Sequence, residues 1–344
     1  YDQKDVRECV LHTIPLRYGV VTDIDPDIRL TLHNAGHILG SSMVHLHVGE
    51  GLHNIVYTGD YKYGRTMLLE AATTEFPRVE TIITESTYGG IDDVMPSRVE
   101  AEERLTTVIN ATLERKGKVL IPVPAVGRAQ EIMLIMDGYM RRGLMKEAPV
   151  FIEGMISEAT AIHTAYPEYL GREVRQSILY DGVNPFQSDY FTIVEHPNVR
   201  QEIIDGEPCI IMATSGMLEG GPVIEYFKSL AEDERNTVIF VSYQIEGTLG
   251  RRVQKGLTEA TMMNSEGKMG VVKIRLGVEA IEGFSGHSDR RQIIHYITNL
   301  KPRPEKVVVC HGEKAKCLSI ANFIQRRCGV QTLVPAAMET FRLL

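Results

Sequence analysis

The chain has 344 residues, 43% of them apolar and 24% charged, and its 37 Lys and Arg against 45 Asp and Glu give a formal net charge of −8. That is enough chain for roughly two domains of ~150 residues each, and the acidic balance excludes a polyanion-binding surface spread over the whole molecule, so any nucleic-acid contact needs a local basic patch. Apolar runs such as Val238–Val241 and Val307–Cys310 fall far short of the ~18 residues that a membrane span needs. The expectation is therefore no membrane partner and a cytoplasmic setting. Five cysteines without a CxxC pair suit reduced thiols better than a disulfide framework or a thiolate zinc cluster.

Short β-like runs alternate with helical patterns, the layout of an α/β protein. Residues 29–34, 43–48, 54–58 and 81–84 read as strands in a sheet-rich opening block. From Pro96 the character changes. Arg98–Lys116 carries Val99, Leu105, Val108, Ile109 and Leu113 at mostly helical spacing and stops at Gly117. Strands follow at 118–123, 150–152, 208–213 and 237–242, interleaved with helices at 128–142 and 222–230, as in a doubly wound domain. The end reads as strand runs 271–276 and 278–282, helix 289–300, strand 306–310 and helix 314–327. Domain boundaries are expected near residues 95 and 280. In Met43–Val48, alternation puts Met43, His45 and His47 on one face and Val44, Leu46 and Val48 on the other. The apolar set is expected to be buried, and His45, His47, His33, His53 and His12 to be partly exposed.

Several apolar runs end on an acid or an imidazole: IVYTGD at Asp60, TIITES at Glu85 and VVVCHG at His311, with FSGHSD presenting His287 just past another strand. In α/β sheets, reacting groups collect beyond the carboxyl ends of strands, so these four can converge although they are far apart in sequence. His37, in AGHILGS, joins them between two glycines that let the chain turn sharply. Each taken singly is as easily a turn residue; five at equivalent places point to one site. Oxygen and nitrogen ligands without cysteine suit zinc or another borderline divalent ion used in hydrolysis, with Glu85 and His287 available for proton transfer.

Two glycine-rich segments can take phosphate. TSGMLEGG, with Ser215 and Gly216, lies between a strand and a helix, where backbone amides can form an anion nest. EGTLGRRVQKG carries Arg251 and Arg252, and PAVGRAQE places Arg128 at a helix start. The competing reading for each is a capping turn beside a solvated basic face. Neither a P-loop nor a GxGxxG after a strand occurs, which disfavours a nucleotide cofactor.

Together these motifs resemble the metallo-β-lactamase/β-CASP nucleases, most closely the archaeal homologues of the cleavage and polyadenylation specificity factor nuclease. AGHILGS is similar to that family's third metallo-β-lactamase motif and VYTGD to its fourth. TEST, FSGHSD and VCHGEKAKC resemble β-CASP motifs A, B and C, and SGMLEGGP and YQIEGTLGRR also look like β-CASP stretches. The resemblance implies an α/β fold: a metallo-β-lactamase αββα sandwich (1–95 and 281–344) interrupted by a parallel β-CASP domain (96–280). It further implies that His37 holds one zinc, Asp60 bridges two and His311 holds the second, while Glu85 and His287 protonate the leaving oxygen of an RNA phosphodiester.

The family's HxHxDH signature does not occur in the 344 residues. The chain is therefore expected to be the C-terminal portion of a longer nuclease, short of a full dinuclear centre and inactive alone. The expected role is a zinc-dependent ribonuclease of RNA 3′-end formation or turnover. The alternative is a catalytically silent RNA-binding or assembly subunit, and a small-molecule lactonase is disfavoured by the phosphate-friendly loops. The apolar tail Val334–Leu344 is expected to support a homodimer.

Overall fold

A computed structural model describes residues 1–263 and 267–343. In chain order the elements are α1 (Gln3–Leu11), β1 (Val21–Asp25), β2 (Ile28–Asn34), β3 (Ser42–Val48), β4 (His53–Tyr57), β5 (Thr81–Thr84), α2 (Arg98–Glu114), β6 (Val119–Pro122) and α3 (Arg128–Arg141). There follow β7 (Val150–Glu153), α4 (Ile156–Ala165), α5 (Arg172–Leu179), β8 (Phe191–Ile193), α6 (Val199–Asp205), β9 (Ile210–Ala213), α7 (Pro222–Leu230), β10 (Thr237–Phe240) and α8 (Leu249–Gln254). The chain closes with β11 (Glu259–Met263), β12 (Met269–Lys273), β13 (Gly277–Ala280), α9 (Arg290–Asn299), β14 (Lys306–Val309), α10 (Lys314–Cys328) and β15 (Gln331–Leu333).

The strands build two large sheets. One runs β1-β2-β3-β4-β5-β14-β15, antiparallel through β4 and parallel from there on. The other runs β13-β10-β6-β9-β7-β8 and is parallel throughout. Its inner strands β10, β6, β9 and β7 are four residues each and almost wholly buried because both faces are covered, whereas the edge strands β13 and β8 are half-buried to exposed. Val119, Ile121, Ile210, Met212 and Ile239 pack with α2 and α3 on one face. Leu120, Ile211, Val238 and Phe240 pack with Tyr226, Phe227 and Leu230 of α7 on the other. The chain crosses into this sheet after β5 and returns through Ile281–Ser288, so β5 and β14, neighbours in space, are over 200 residues apart in sequence. The Met-rich face of α3 is core: Met133, Met136 and Met140 are buried.

The first sheet corrects one expectation. Met43, His45 and His47 do share a face opposite Val44, Leu46 and Val48, but the covered face is that of Met43 and His45, both fully buried. The cause is tertiary. Phe76, from the loop before β5, stands edge-on to His33 and His45 at centroid distances of 5.0 and 5.5 Å, and the Tyr296 hydroxyl of α9 reaches the Met43 sulfur at 3.2 Å. His53 is also buried rather than partly exposed, because its Nε2 pairs with the Thr81 hydroxyl across to β5 at 2.9 Å. On the other face Leu32, Val44, Leu46, Ile55 and Ile83 stay half-buried and Tyr57 is exposed. Helices α4, α5, α6 and α8 and strand β11 left no clear signal in the sequence, while the strand expected at 271–276 is β12, shifted two residues earlier and paired with β11 outside the two large sheets. These helices are short, and several bury only one to three side chains, which is too few for a legible periodicity.

Candidate metal and proton-transfer centre

The site forms where the first sheet's carboxyl-terminal strand ends meet the returning linker. After β4, Asp60 leaves the sheet; after β5, Glu85 does; after β14, His311 does, in the left-handed region at φ +47°. Parallel pairing of β4, β5 and β14 puts these three strand ends side by side. The loop Gly36–Gly40 brings His37 from above, and the stretch before α9 brings His287. A side chain at Gly286 would put its Cβ 2.9 Å from the His37 Nδ1, and one at Gly312 would collide with the Ser86 carbonyl at 2.6 Å, so both glycines are needed for backbone to lie against the site.

Asp60 sits between two imidazoles, with Oδ1 2.7 Å from His311 Nδ1 and Oδ2 3.9 Å from His37 Nε2. His37 Nδ1 donates to the Gly286 carbonyl at 2.9 Å, which fixes the tautomer and leaves a lone pair on Nε2. Burial lowers the His37 pKa more than that bond and the nearby carboxylates raise it, favouring the neutral ring that a metal requires. Two sets of donor atoms cluster tightly enough to hold an ion: His37, Asp60 and His287, and Asp60, Glu85 and His311, each within 4.8 Å of one another. Hard oxygens mixed with imidazole nitrogens and free of sulfur fit zinc or a similar divalent ion.

Beside this lies an ion pair. His287 Nδ1 donates to Glu85 at 2.8 Å from Oε2, and Glu85 is 1% exposed. Burial opposes charge on both partners. The hydrogen bond and charge of Glu85 outweigh it and raise the His287 pKa above 6.5, while His287, the Thr87 hydroxyl at 2.6 Å and the Tyr61 amide at 2.9 Å hold Glu85 below 4.5. Both directions favour an imidazolium set against a carboxylate, the arrangement of a proton donor. Lys62 braces it from behind, its Nζ donating to the His287 carbonyl at 2.9 Å. Thr87 and Lys62 escaped the sequence reading. Thr87 stands two residues past Glu85 in TEST, a spacing that places its hydroxyl back on the carboxylate, whereas the burial of Lys62 has no local signal.

The other expected residues do not join this cluster. The Ser215 hydroxyl closes its own loop, accepting from the Glu219 amide at 3.1 Å, and Gly216 is buried with its carbonyl on Gln244 at 2.8 Å. Arg251 lies near Glu246 at 3.5 Å and lines a cleft with Tyr88, Tyr243 and Lys316. Arg252 faces a separate cavity beside Leu218 and Lys228. Arg128 lines a third cavity with Lys62.

Two family models match the chain: the Beta-Casp domain over residues 129–253, and the Zn-dependent metallo-hydrolase RNA specificity domain over residues 271–335. The chain belongs to the metallo-β-lactamase/β-CASP family. It is similar along its whole length to proteins named transcription termination factor FttA. That of Pyrococcus abyssi is 56% identical over 344 residues, all of this chain and 53% of the relative. That of Methanocaldococcus jannaschii is 56% identical and covered to 54%, and that of Lokiarchaeum sp. is 54% identical over 343 residues and covered to 54%. The chain thus spans about half the length of the curated relatives it matches. The family's architecture, a metallo-β-lactamase fold with an inserted β-CASP domain, corresponds to the two sheets. Among the described residues no helix is long and apolar enough to cross a membrane.

Proposed function

We infer that this chain carries part of the catalytic machinery of a zinc-dependent ribonuclease acting in RNA 3′-end formation, termination or turnover. The observation that carries the reading is Asp60 held between His37 and His311 beside the buried Glu85–His287 pair. His37, Asp60 and His311 would hold zinc, with Asp60 reaching toward both positions; when bound, the metal supplies Lewis acidity and an activated water. These three are fewer than the about three protein ligands expected for each of two catalytic zincs, so the reading includes further ligands from outside residues 1–344. The chain's own part in the reaction is acid catalysis: His287 gives its proton to the departing ribose oxygen while Glu85 orients the ring and balances its charge. Residues 96–280 form the β-CASP wall of an RNA cleft, with Arg251 beside Tyr88 and Tyr243 as its contact to the strand, while Ser215 and Gly216 shape their own loop and Arg252 and Arg128 face separate cavities; 1–95 and 281–344 form the metallo-β-lactamase part.

The name of the relatives, transcription termination factor, favours a place in RNA 3′-end events in the cytoplasm. The test is cleavage of a labelled RNA by the full-length protein, loaded with zinc, against Asp60→Ala and His287→Ala. Full activity in both variants defeats the assignment. The reading also includes a homodimer through the tail from Val334, of which Leu344 lies outside the described residues. Light scattering of a protein lacking residues 335–344 tests it, since an unchanged mass excludes the tail as the contact.

A further inference from the structure

The chain passes between its two sheets twice, at Met95–Ser97 and at Gly283–Phe284, and both crossings line one cavity of about 430 Å³. The cavity is strongly basic. Lys62, Arg65, Arg98, Arg128 and Arg291 open onto it, against Glu100, Glu131 and Asp289. The acids are committed to backbone amides: Glu131 accepts from Met67 and Leu68 at 3.0 and 2.8 Å, Asp289 from Met95 and Gln292 at 3.0 and 2.8 Å, and Glu100 from Ser97 at 2.7 Å. Three of the cations are likewise occupied. Arg98 pairs with Glu102 at 2.9 Å, Arg65 lies 3.6 Å from Glu70, and Arg291 donates to the Met95 carbonyl at 2.9 Å.

Lys62 and Arg128 differ. Among the described residues neither has a carboxylate within 4.0 Å, Lys62 is 5% exposed, and the Arg128 guanidinium has no hydrogen-bond partner there. Both open onto one cavity whose carboxylates Glu131 and Asp289 are held by backbone amides, so an anion seated between the two cations would supply the close counter-charge that neither has. A planar fork beside a point charge is the pairing that suits a phosphate's tetrahedral oxygens.

We propose that this crossing cavity is a phosphate-binding site in which Lys62 and Arg128 clamp one phosphate group across the junction of the two sheets. The group belongs either to an RNA strand running past the catalytic centre, to which Lys62 is joined through the His287 carbonyl, or to a free phosphate anion. The RNA source rests on the ribonuclease reading; the free-anion source does not. Because the clamp takes Lys62 from the first sheet and Arg128 from the second, occupancy also ties the two together.

Calorimetric titration of inorganic pyrophosphate into the full-length protein, stripped of metal with a chelator, tests the clamp without any cleavage. Stoichiometric binding is expected, weakened by about tenfold or more in Arg128→Gln, as for loss of a hydrogen bond to a charged group, and partly restored in Arg128→Lys. Arg291→Gln, on the exposed rim, is expected to weaken it by a smaller factor, which keeps the test decisive should Arg128→Gln fail to fold. In parallel, fluorescence anisotropy measures the affinity of a labelled RNA. Pyrophosphate competition together with an Arg128-dependent loss of RNA affinity assigns the site to the strand; pyrophosphate binding with unchanged RNA affinity assigns it to a free anion. Binding of both ligands that is indifferent to folded Arg128→Gln and to Arg291→Gln overturns the proposal.

Discussion

Acidification from pH 7 to pH 5 should weaken the first sheet through one side chain, His45. Its ring is fully buried among His33, His47 and Phe76, and its Nε2 has no hydrogen-bond partner. Burial first, then the neighbouring imidazoles His47 and His33, depress its pKa from 6.5 to about 4, with the Arg78 backbone and then Glu80 opposing weakly. The unfolded chain therefore binds a proton as pH falls below 6.5, while the folded chain resists until about 4. In that window the unfolded state holds more protons, so stability falls with pH. At 1.36 kcal/mol per unit the full depression is worth about 3 kcal/mol, of which about 2 kcal/mol is lost by pH 5. Urea unfolding at pH 7 and pH 5 should show this loss in the wild type. His45→Gln, which keeps a polar planar side chain without a titrating proton, should lose about 2 kcal/mol less over the same interval. Equal pH shifts in the two proteins would refute the reasoning, whatever their absolute stabilities.

Three further outcomes follow from particular contacts. Glu85→Gln should lower kcat for RNA cleavage by the full-length, zinc-loaded protein by ~10²–10⁴, the usual weight of a positioned proton donor, with KM little changed. Gly286→Ala forces a methyl to 2.9 Å from His37 Nδ1; it should destabilise by ~1–3 kcal/mol and reduce zinc retention after dialysis. Tyr226→Phe removes the hydroxyl bond to Glu153 at 2.7 Å but leaves Glu153 paired with Arg200. The expected cost in urea unfolding is about 1–2 kcal/mol, and a much larger loss would mean that the ion pair had broken as well.

Local rules determined much of this protein. The continuous apolar runs around Val119, Ile210 and Thr237 fix strands covered on both faces, because only a sheet sandwiched between helices tolerates them. Strand ends followed by Asp60, Glu85 and His311 are legible from a run that stops at a charge, and the face shared by Met43, His45 and His47 follows from the two-residue period of a strand. What the tertiary structure alone decided is which face is covered and who meets whom. Phe76 and Tyr296, remote in sequence, lie on the histidine face and reverse its expected exposure. Parallel pairing of β5 with β14 carries His311 to Asp60 across roughly 250 residues, and the returning linker delivers His287 to Glu85. Burial of Lys62 near Arg128, and the separate cavities faced by Arg251 and Arg252, are likewise set by packing. Period and propensity act over a few residues, whereas proximity between distant side chains is fixed only when the sheets close.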